Sequence, residues 1–212
     1  MSELTVDITV SLDGYVAGPR PTLKDPLGEG GERLHEWLVQ LAGFREQHGM
    51  EGGVETDDDA VFREMLGAGA TIMGRKMFSG GSGSWEDDPR ANGWWGDEPP
   101  FHHPVFVLTH HERDDLVLGE TRFVFVTDGI ESALRQARAA AGDARVTIGG
   151  GADVVQQYLA AGFIDELRIH IAPLLLGDGT RLFDGPGPEL RLTNVRYSDA
   201  ATHLTYRPVK EA

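Results

Sequence analysis

The sequence predicts an α/β sandwich whose mostly parallel sheet carries an antiparallel C-terminal edge. Three observations support this. Short β-branched runs alternate with segments of helical period, glycines follow several of those runs directly, and the last two strand-like runs succeed one another with no helix between them.

Leu4–Val10 alternates apolar and polar residues at period two and ends in Asp13-Gly14, a turn signal, so it reads as a strand entering a turn. Arg33 to Leu41 places Leu34, Trp37, Leu38 and Leu41 on one helical face, the mark of a core-facing stripe. Thr56-Asp57-Asp58-Asp59 then precedes Val61, Phe62, Met65 and Leu66. A helix should start there with Thr56 or Asp57 as its cap and acids in the positive first turn. Ala70-Thr71-Ile72-Met73-Gly74 reads as a buried strand, and Arg75 to Phe78 as one or two helical turns. Residues 79–103 are rich in Gly, Pro and Trp and have no period, which makes a long loop.

Val105–Thr109 and Arg122–Thr127 read as strands, and Glu131 to Ala141 as a helix of Ala, Leu and Arg. Arg145–Ile148 leads into Gly149-Gly150-Gly151, after which Val154, Val155, Tyr158 and Leu159 mark a helix closed by Gly162. Glu166 to Pro173 is a further strand, and Leu190–Tyr197 with His203–Arg207 form the expected terminal antiparallel pair. No repeat or linker interrupts this order, so a single domain over residues 1–212 is expected, with residues 19–55 and 79–103 as loop insertions.

Composition narrows the function classes. The 212 residues carry 19 Lys and Arg against 34 Asp and Glu, a net charge of −15, which excludes a general nucleic-acid or anionic-membrane surface. With no cysteine there are no disulfides, thiolate zinc sites or cysteine nucleophiles. Strand-like residues begin at Glu3, leaving no room for a signal peptide, and no apolar run reaches the roughly 18 residues of a membrane span. A cytoplasmic protein is expected. Its 28 glycines are nearly twice the usual share of about 7% without a collagen period, which points to loops and close ligand approach.

Those glycines carry the chemical signal. Ile148-Gly149-Gly150-Gly151-Ala152-Asp153-Val154 is a strand, a turn and a helix start, where backbone N–H groups and the helix dipole suit a pyrophosphate. It lacks the third glycine of the Rossmann fingerprint, and the first strand is followed by Asp13-Gly14-Tyr15-Val16-Ala17-Gly18, so an ordinary Rossmann dehydrogenase does not fit. Gly74-Arg75-Lys76 is a second strand end with two cations, and Leu108-Thr109-His110 a third with a hydroxyl and an imidazole. A phosphate-rich cofactor with an extra 2′-phosphate would explain Arg75, Lys76, Thr109 and His110 together. The His102-His103 and His110-His111 pairs lack an acid at ligand spacing, so no metal is expected.

The order of Leu4–Val10, Ser11-Leu12-Asp13-Gly14-Tyr15-Val16-Ala17-Gly18, Ile72-Met73-Gly74-Arg75 and Ile148-Gly149-Gly150-Gly151 resembles the dihydrofolate reductase superfamily. It is most similar to bacterial dihydrofolate reductase-like proteins related to the reductase domain of riboflavin biosynthesis, over nearly the whole chain. The resemblance implies a three-layer α/β/α sandwich, a homodimer, and NADPH as the hydride donor to a small heterocycle of pterin, folate, pyrimidine or flavin-precursor type. An activity like that of 5-amino-6-(5-phosphoribosylamino)uracil reductase falls within it.

Carried over by residue, Val10, Val16, Ala17 and Gly18 would line the nicotinamide, and Gly74, Arg75 and Lys76 would hold phosphates. Leu108, Thr109 and His110 would meet the 2′-phosphate end. Gly149, Gly150, Gly151, Ala152, Asp153 and Val154 would cradle the pyrophosphate, provided that the Asp153 carboxylate turns outward. Ile148 stands where riboflavin-pathway reductases carry a substrate-binding acid.

On the substrate side, folate reductases keep a carboxylate at the start of the helix that here opens with Asp57-Asp58-Asp59. Asp58 or Asp59 is therefore a proton-donor hypothesis, taken at Asp58, with Asp13 and His35 as further candidates, while helix capping and dipole compensation account for at least two of the three acids. The aromatic loop from Gly80 to His103 reads either as a lid over the cofactor or as a dimer contact. A cofactor-binding module without turnover is the alternative function. Either way the expected partners are a small-molecule substrate and a second copy of the chain, with no nucleic acid and no membrane.

Overall fold

The computed structural model describes residues 2–209, which divide into two compact units. The first comprises residues up to Thr5 together with Ala68–Phe163, and the second Val6–Gly67 with the chain from Ile164 onward.

In the first unit, parallel strands β3 (Ala70–Gly74), β4 (Val105–Leu108), β6 (Thr121–Val126) and β7 (Val146–Ile148) stand in the order β7-β3-β4-β6. The short β5 (Leu116–Leu118) pairs antiparallel with β6. Ala70, Ile72, Met73, Val105, Val107 and Phe123 are buried, as parallel strands covered on both faces require. The start of β1 (Leu4–Ser11) joins β7 through the Val146 N–H, which donates to the Glu3 carbonyl at 2.9 Å. Three helices belong to this unit: α4 (Arg75–Ser79), α5 (Ile130–Ala141) and α6 (Ala152–Ala160).

The second unit is antiparallel. β8 (Glu166–Ala172), β11 (Thr202–Pro208) and β10 (Leu190–Tyr197) stand side by side in that order, with β10 at the edge and the remainder of β1 next to β8. A separate pair joins β2 (Tyr15–Ala17) to β9 (Thr180–Arg181). The fold is thus a mostly parallel sheet with helices and antiparallel edge strands, as the sequence predicts.

The stripe at residues 34–41 is buried as expected, but its helix is broken. A 3-10 turn over Gly31–His35 runs into a single-turn α1 (Glu36–Val39), and α2 (Ala42–Gln47) follows. Trp37, Leu38 and Leu41 pack with Phe62 of α3 (Asp57–Met65) and Ala201, so tertiary packing of large side chains, rather than helix length, fixes this segment. Helix α3 starts as its sequence demands, with the Thr56 hydroxyl accepting from the Asp59 N–H at 3.3 Å.

Candidate active site

In the first unit, neighbouring parallel strands bring three carboxyl ends to one edge. Ile72 pairs with Ile148 and Gly74 with Leu108, so Gly74, Leu108 and the Gly149–Gly151 turn lie side by side. The turn is fastened to β3 from both sides: the Gly149 N–H donates to the Ile72 carbonyl at 2.9 Å, and the Gly74 N–H to the Gly150 carbonyl at 3.1 Å. The Gly150–Gly151 peptide is cis.

Gly74 is close-packed, since a Cβ there would stand 3.0 Å from Val154. At Gly151, by contrast, no atom lies within 4 Å of where a Cβ would sit, and no side chain caps α6. The nine-residue α6 therefore presents the positive end of its dipole and its first N–H groups to an open cradle of the kind that a pyrophosphate fills. Ala152 and Val154 are buried beneath the helix, whereas Asp153 is exposed, as an acid at such a position must be.

Arg75 departs from expectation. Its buried guanidinium pairs with Asp88 at 2.5 Å, hydrogen-bonds the Ser79 hydroxyl and lies 3.4 Å from the Trp85 ring centroid. Burial alone would raise the Asp88 carboxyl. The Ser79 hydroxyl, the Arg90 N–H and Arg75 together hold it below the usual carboxylate range. Arg75 is therefore neutralised within its own chain, a pairing that the sequence could not reveal because Asp88 lies in the loop without period. Lys76 remains the exposed cation at this helix start.

The Thr109 hydroxyl closes a local turn by accepting from the His111 N–H at 3.1 Å, and His110 is exposed. Trp85, Trp95 and Phe101 of the long loop pack against the cluster of Phe78, Val105, Val107 and Phe123, and Trp85 donates to the His111 carbonyl. His103 is half-buried beside His102, and that partial burial with the neighbouring imidazole holds it at about 4, with Nε2 2.7 Å from the Thr71 hydroxyl; His102 pairs with Glu120 at 3.3 Å. No cluster able to hold a metal ion occurs among the described residues.

In the second unit, Val10 is buried on β1, and Val16 and Ala17 lie on β2. The Gly18 N–H donates to the Leu27 carbonyl, and its missing side chain leaves room for the Glu29 backbone, so Gly18 closes the 19–55 insertion onto β2. Asp13 is engaged in structure. It accepts from Ser11 Oγ at 2.5 Å, the Gly177 N–H at 2.7 Å and the Leu176 N–H at 3.2 Å, and the Ser11 bond leads in lowering its carboxyl to about 2. His35 ends the 3-10 turn, and burial lowers its basicity against a smaller opposing effect of the Gly31 backbone.

Asp58 alone among the three proton-donor candidates sits in a buried network of titratable groups. Its Oδ1 lies 2.9 Å from His203 Nε2 and its Oδ2 accepts from Ser198 Oγ at 2.8 Å. His203 Nδ1 is 2.8 Å from His170 Nδ1, and His170 Nε2 lies 3.9 Å from Asp7 Oδ1. Trp37 packs on both imidazoles, with ring centroids 5.2 Å from His170 and 5.0 Å from His203.

Asp59, its neighbour, serves structure. Burial would raise its carboxyl, but the Gly43 N–H at 2.6 Å and Arg63 at 2.9 Å hold it below the usual range. Sequence reasoning missed His170, His203 and Ser198. The available signal was a polar residue at an inward register of each C-terminal strand, and only the pairing of His203 opposite His170 gives it meaning.

The model of the RibD C-terminal domain family matches residues 2–205. "Uncharacterized protein YyaP" of Bacillus subtilis strain 168 is 28% identical over 214 residues, covering 96% of this chain and 93% of that protein. Two solved structures share the fold. The Thermotoga maritima diaminohydroxyphosphoribosylaminopyrimidine deaminase/5-amino-6-(5-phosphoribosylamino)uracil reductase is 16% identical with a TM-score of 0.59, over 98% of this chain and 57% of that one. The Enterococcus faecalis dihydrofolate reductase complexed with NADP(H) and RAB-propyl is 16% identical with a TM-score of 0.54, over 98% and 97%. The sheet is thus dihydrofolate reductase-like, and the chain belongs to the RibD C-terminal domain family.

Proposed function

We propose that the protein is an NADPH-dependent reductase that transfers a hydride to a small heterocycle of pterin, folate, pyrimidine or flavin-precursor type. The observation that carries this reading is the open, uncapped N-terminus of α6 behind Gly149-Gly150-Gly151, flanked by Gly74 and Leu108-Thr109. Gly150, Gly151, Ala152 and Asp153 offer backbone to the pyrophosphate, and Lys76, Thr109 and His110 take the 2′-phosphate end. Arg75 reaches a phosphate only by exchanging Asp88 for it. By the resemblance alone, Val10, Val16, Ala17 and Gly18 would line the nicotinamide.

When bound, the cofactor supplies the hydride. The chain supplies the proton that reduction of a C=N bond also consumes, and Asp58 is the group for it. The 5-amino-6-(5-phosphoribosylamino)uracil reductase and dihydrofolate reductase named above support the substrate class.

The test is fluorescence titration with NADPH. Saturation in the micromolar range, abolished by Gly150→Val, is expected, and no binding at millimolar NADPH overturns the reading. A panel of dihydrofolate, dihydropteridine and aminopyrimidine ribitol phosphate then follows NADPH oxidation, with turnover lost in Asp58→Asn. A second reading, a module that binds NADPH without turnover, draws on the fact that both Asp58 oxygens already accept from His203 and Ser198. It requires tight binding with no oxidation across the panel.

A cytoplasmic homodimer completes the proposal. The chain has no cysteine, and no helix of the described residues is long and apolar enough to cross a membrane. The edge strand β10 exposes Leu192, Val195 and Tyr197, which a second copy would cover. Sedimentation at a monomer mass across micromolar concentrations would remove the dimer.

A further inference from the structure

Asp58 Oδ1, both ring nitrogens of His203, both of His170 and Asp7 Oδ1 form one line with steps of 2.9, 2.8 and 3.9 Å. Asp58, His203 and His170 are 5%, 6% and 1% exposed, so their protons must be accounted for without help from bulk solvent. A carboxylate only accepts, so His203 Nε2 carries a proton toward Asp58. The short contact between the two Nδ1 atoms holds another. With only these two, the lone pair of His170 Nε2, which has no hydrogen-bond partner among the described residues, would face the Asp7 carboxylate in a buried setting. A third proton on that nitrogen removes the conflict and leaves the imidazole pair with one positive charge between two carboxylates.

Which ring carries that charge follows from the surroundings. The charged groups facing the pair are Asp58 from α3, Asp7 from β1 and Arg168 from β8; Glu166 and Arg207 lie beyond Arg168, Glu64 of α3 and Arg196 of β10, paired with each other at 2.8 Å, line the same cavity as the two rings, and Trp37 covers the rings from α1. Burial, His203 and Arg168 together hold His170 at about 3, which makes it the neutral partner. His203 has an acceptor within hydrogen-bond distance of each ring nitrogen, Asp58 Oδ1 at 2.9 Å and His170 Nδ1 at 2.8 Å, whereas His170 Nε2 has none among the described residues, so the pair's extra proton is assigned to His203.

We propose that His203 is the proton store of the active site, acting through Asp58, with His170 as the positioning residue that keeps the second ring nitrogen occupied. The proposal rests on the reductase reading with Asp58 as the acid. In the reduction, the N–H bond at His203 Nε2 breaks as an O–H bond forms on Asp58 Oδ1. That O–H bond then breaks as an N–H bond forms on the substrate. His203 is left neutral, still donating from Nδ1 to His170. After product leaves, one solvent proton returns by the same two steps, so one proton is consumed for each hydride. This arrangement also explains how an acid with both oxygens occupied in the free protein can still deliver a proton.

The test is long-range 1H–15N NMR of the full chain with 15N-labelled histidine, titrated from pH 4.5 to 9, without substrate or cofactor. The expected result is an imidazolium signature at His203 and a neutral His170 at pH 7, with the His203 midpoint falling at least one pH unit in the isosteric Asp58→Asn. Ser198→Ala, a gentler change at the same carboxylate, shifts it in a smaller step. A neutral His203 at pH 7 in the wild type, or a midpoint that Asp58→Asn leaves in place, overturns the proposal. With a turned-over substrate, His203→Gln, which keeps an N–H donor toward Asp58, lowers kcat more than tenfold at unchanged KM; unchanged kcat refutes the store.

NADPH titration of the same wild-type sample separates the two readings. Absent NADPH binding removes the reductase while the His203 titration still reads, and NADPH binding with an ordinary neutral His203 removes the proton store alone.

Discussion

Lowering the pH from 7 to 5 destabilises this fold through His170, and the size of the effect follows from its burial. In the folded chain the residue titrates at about 3 against an ordinary 6.5, because burial and the nearby His203 and Arg168 oppose a second proton. The unfolded chain accepts that proton once the pH falls below 6.5, while the folded chain refuses it until about 3. The stability contribution of neutral His170 is therefore complete above pH 6.5 and is lost progressively as the pH falls. At pH 5, about 1.5 units below the unfolded value, the loss is about 2 kcal/mol, with a slope of about 1.4 kcal/mol per unit.

The assay is urea unfolding at pH 7, 6 and 5, comparing wild type with His170→Gln, which cannot titrate. His103, also held low, is common to both proteins and cancels in the difference. Wild type should lose about 2 kcal/mol more than the variant between pH 7 and 5. Equal losses would show that His170 takes up its proton in the folded state, and the reasoning from burial would fail.

Three other outcomes are expected. Arg75→Ala leaves the Asp88 side chain, 3% exposed, without its cation and lowers stability by about 3–5 kcal/mol, read as a fall in Tm; removing Asp88 as well recovers most of the loss. Gly18→Ala drives a Cβ into the Glu29 backbone and costs about 1–3 kcal/mol in urea unfolding, and wild-type stability in that variant would show that residues 27–31 repack freely. Thr56→Ala removes the N-cap bond of α3 at a cost of about 1 kcal/mol, and Thr56→Ser restores it, as urea midpoints would show.

Much of the fold was legible in the sequence because its signals are local. Alternation and β-branching marked β1, β3, β4, β7 and β8, Thr56 marked its cap, and the glycine triplet marked a strand end whose following helix has no side-chain cap. The three-residue strands β2 and β5 and the two-residue β9 escaped notice, because so few residues carry no period and their pairing is settled by neighbours distant in sequence.

Asp58 was legible as a helix-start acid in the right place, but so were Asp57 and Asp59. Sequence alone determined that this chain builds glycine-lined strand ends on an acidic α/β scaffold without cysteine. Only the tertiary structure decided how its charges are used, because ion pairs and hydrogen bonds form between groups that folding brings within a few ångströms, whatever their separation along the chain. Asp88 takes Arg75, the Leu176–Gly177 backbone takes Asp13, and two strands in antiparallel register set His203 against His170 behind Asp58.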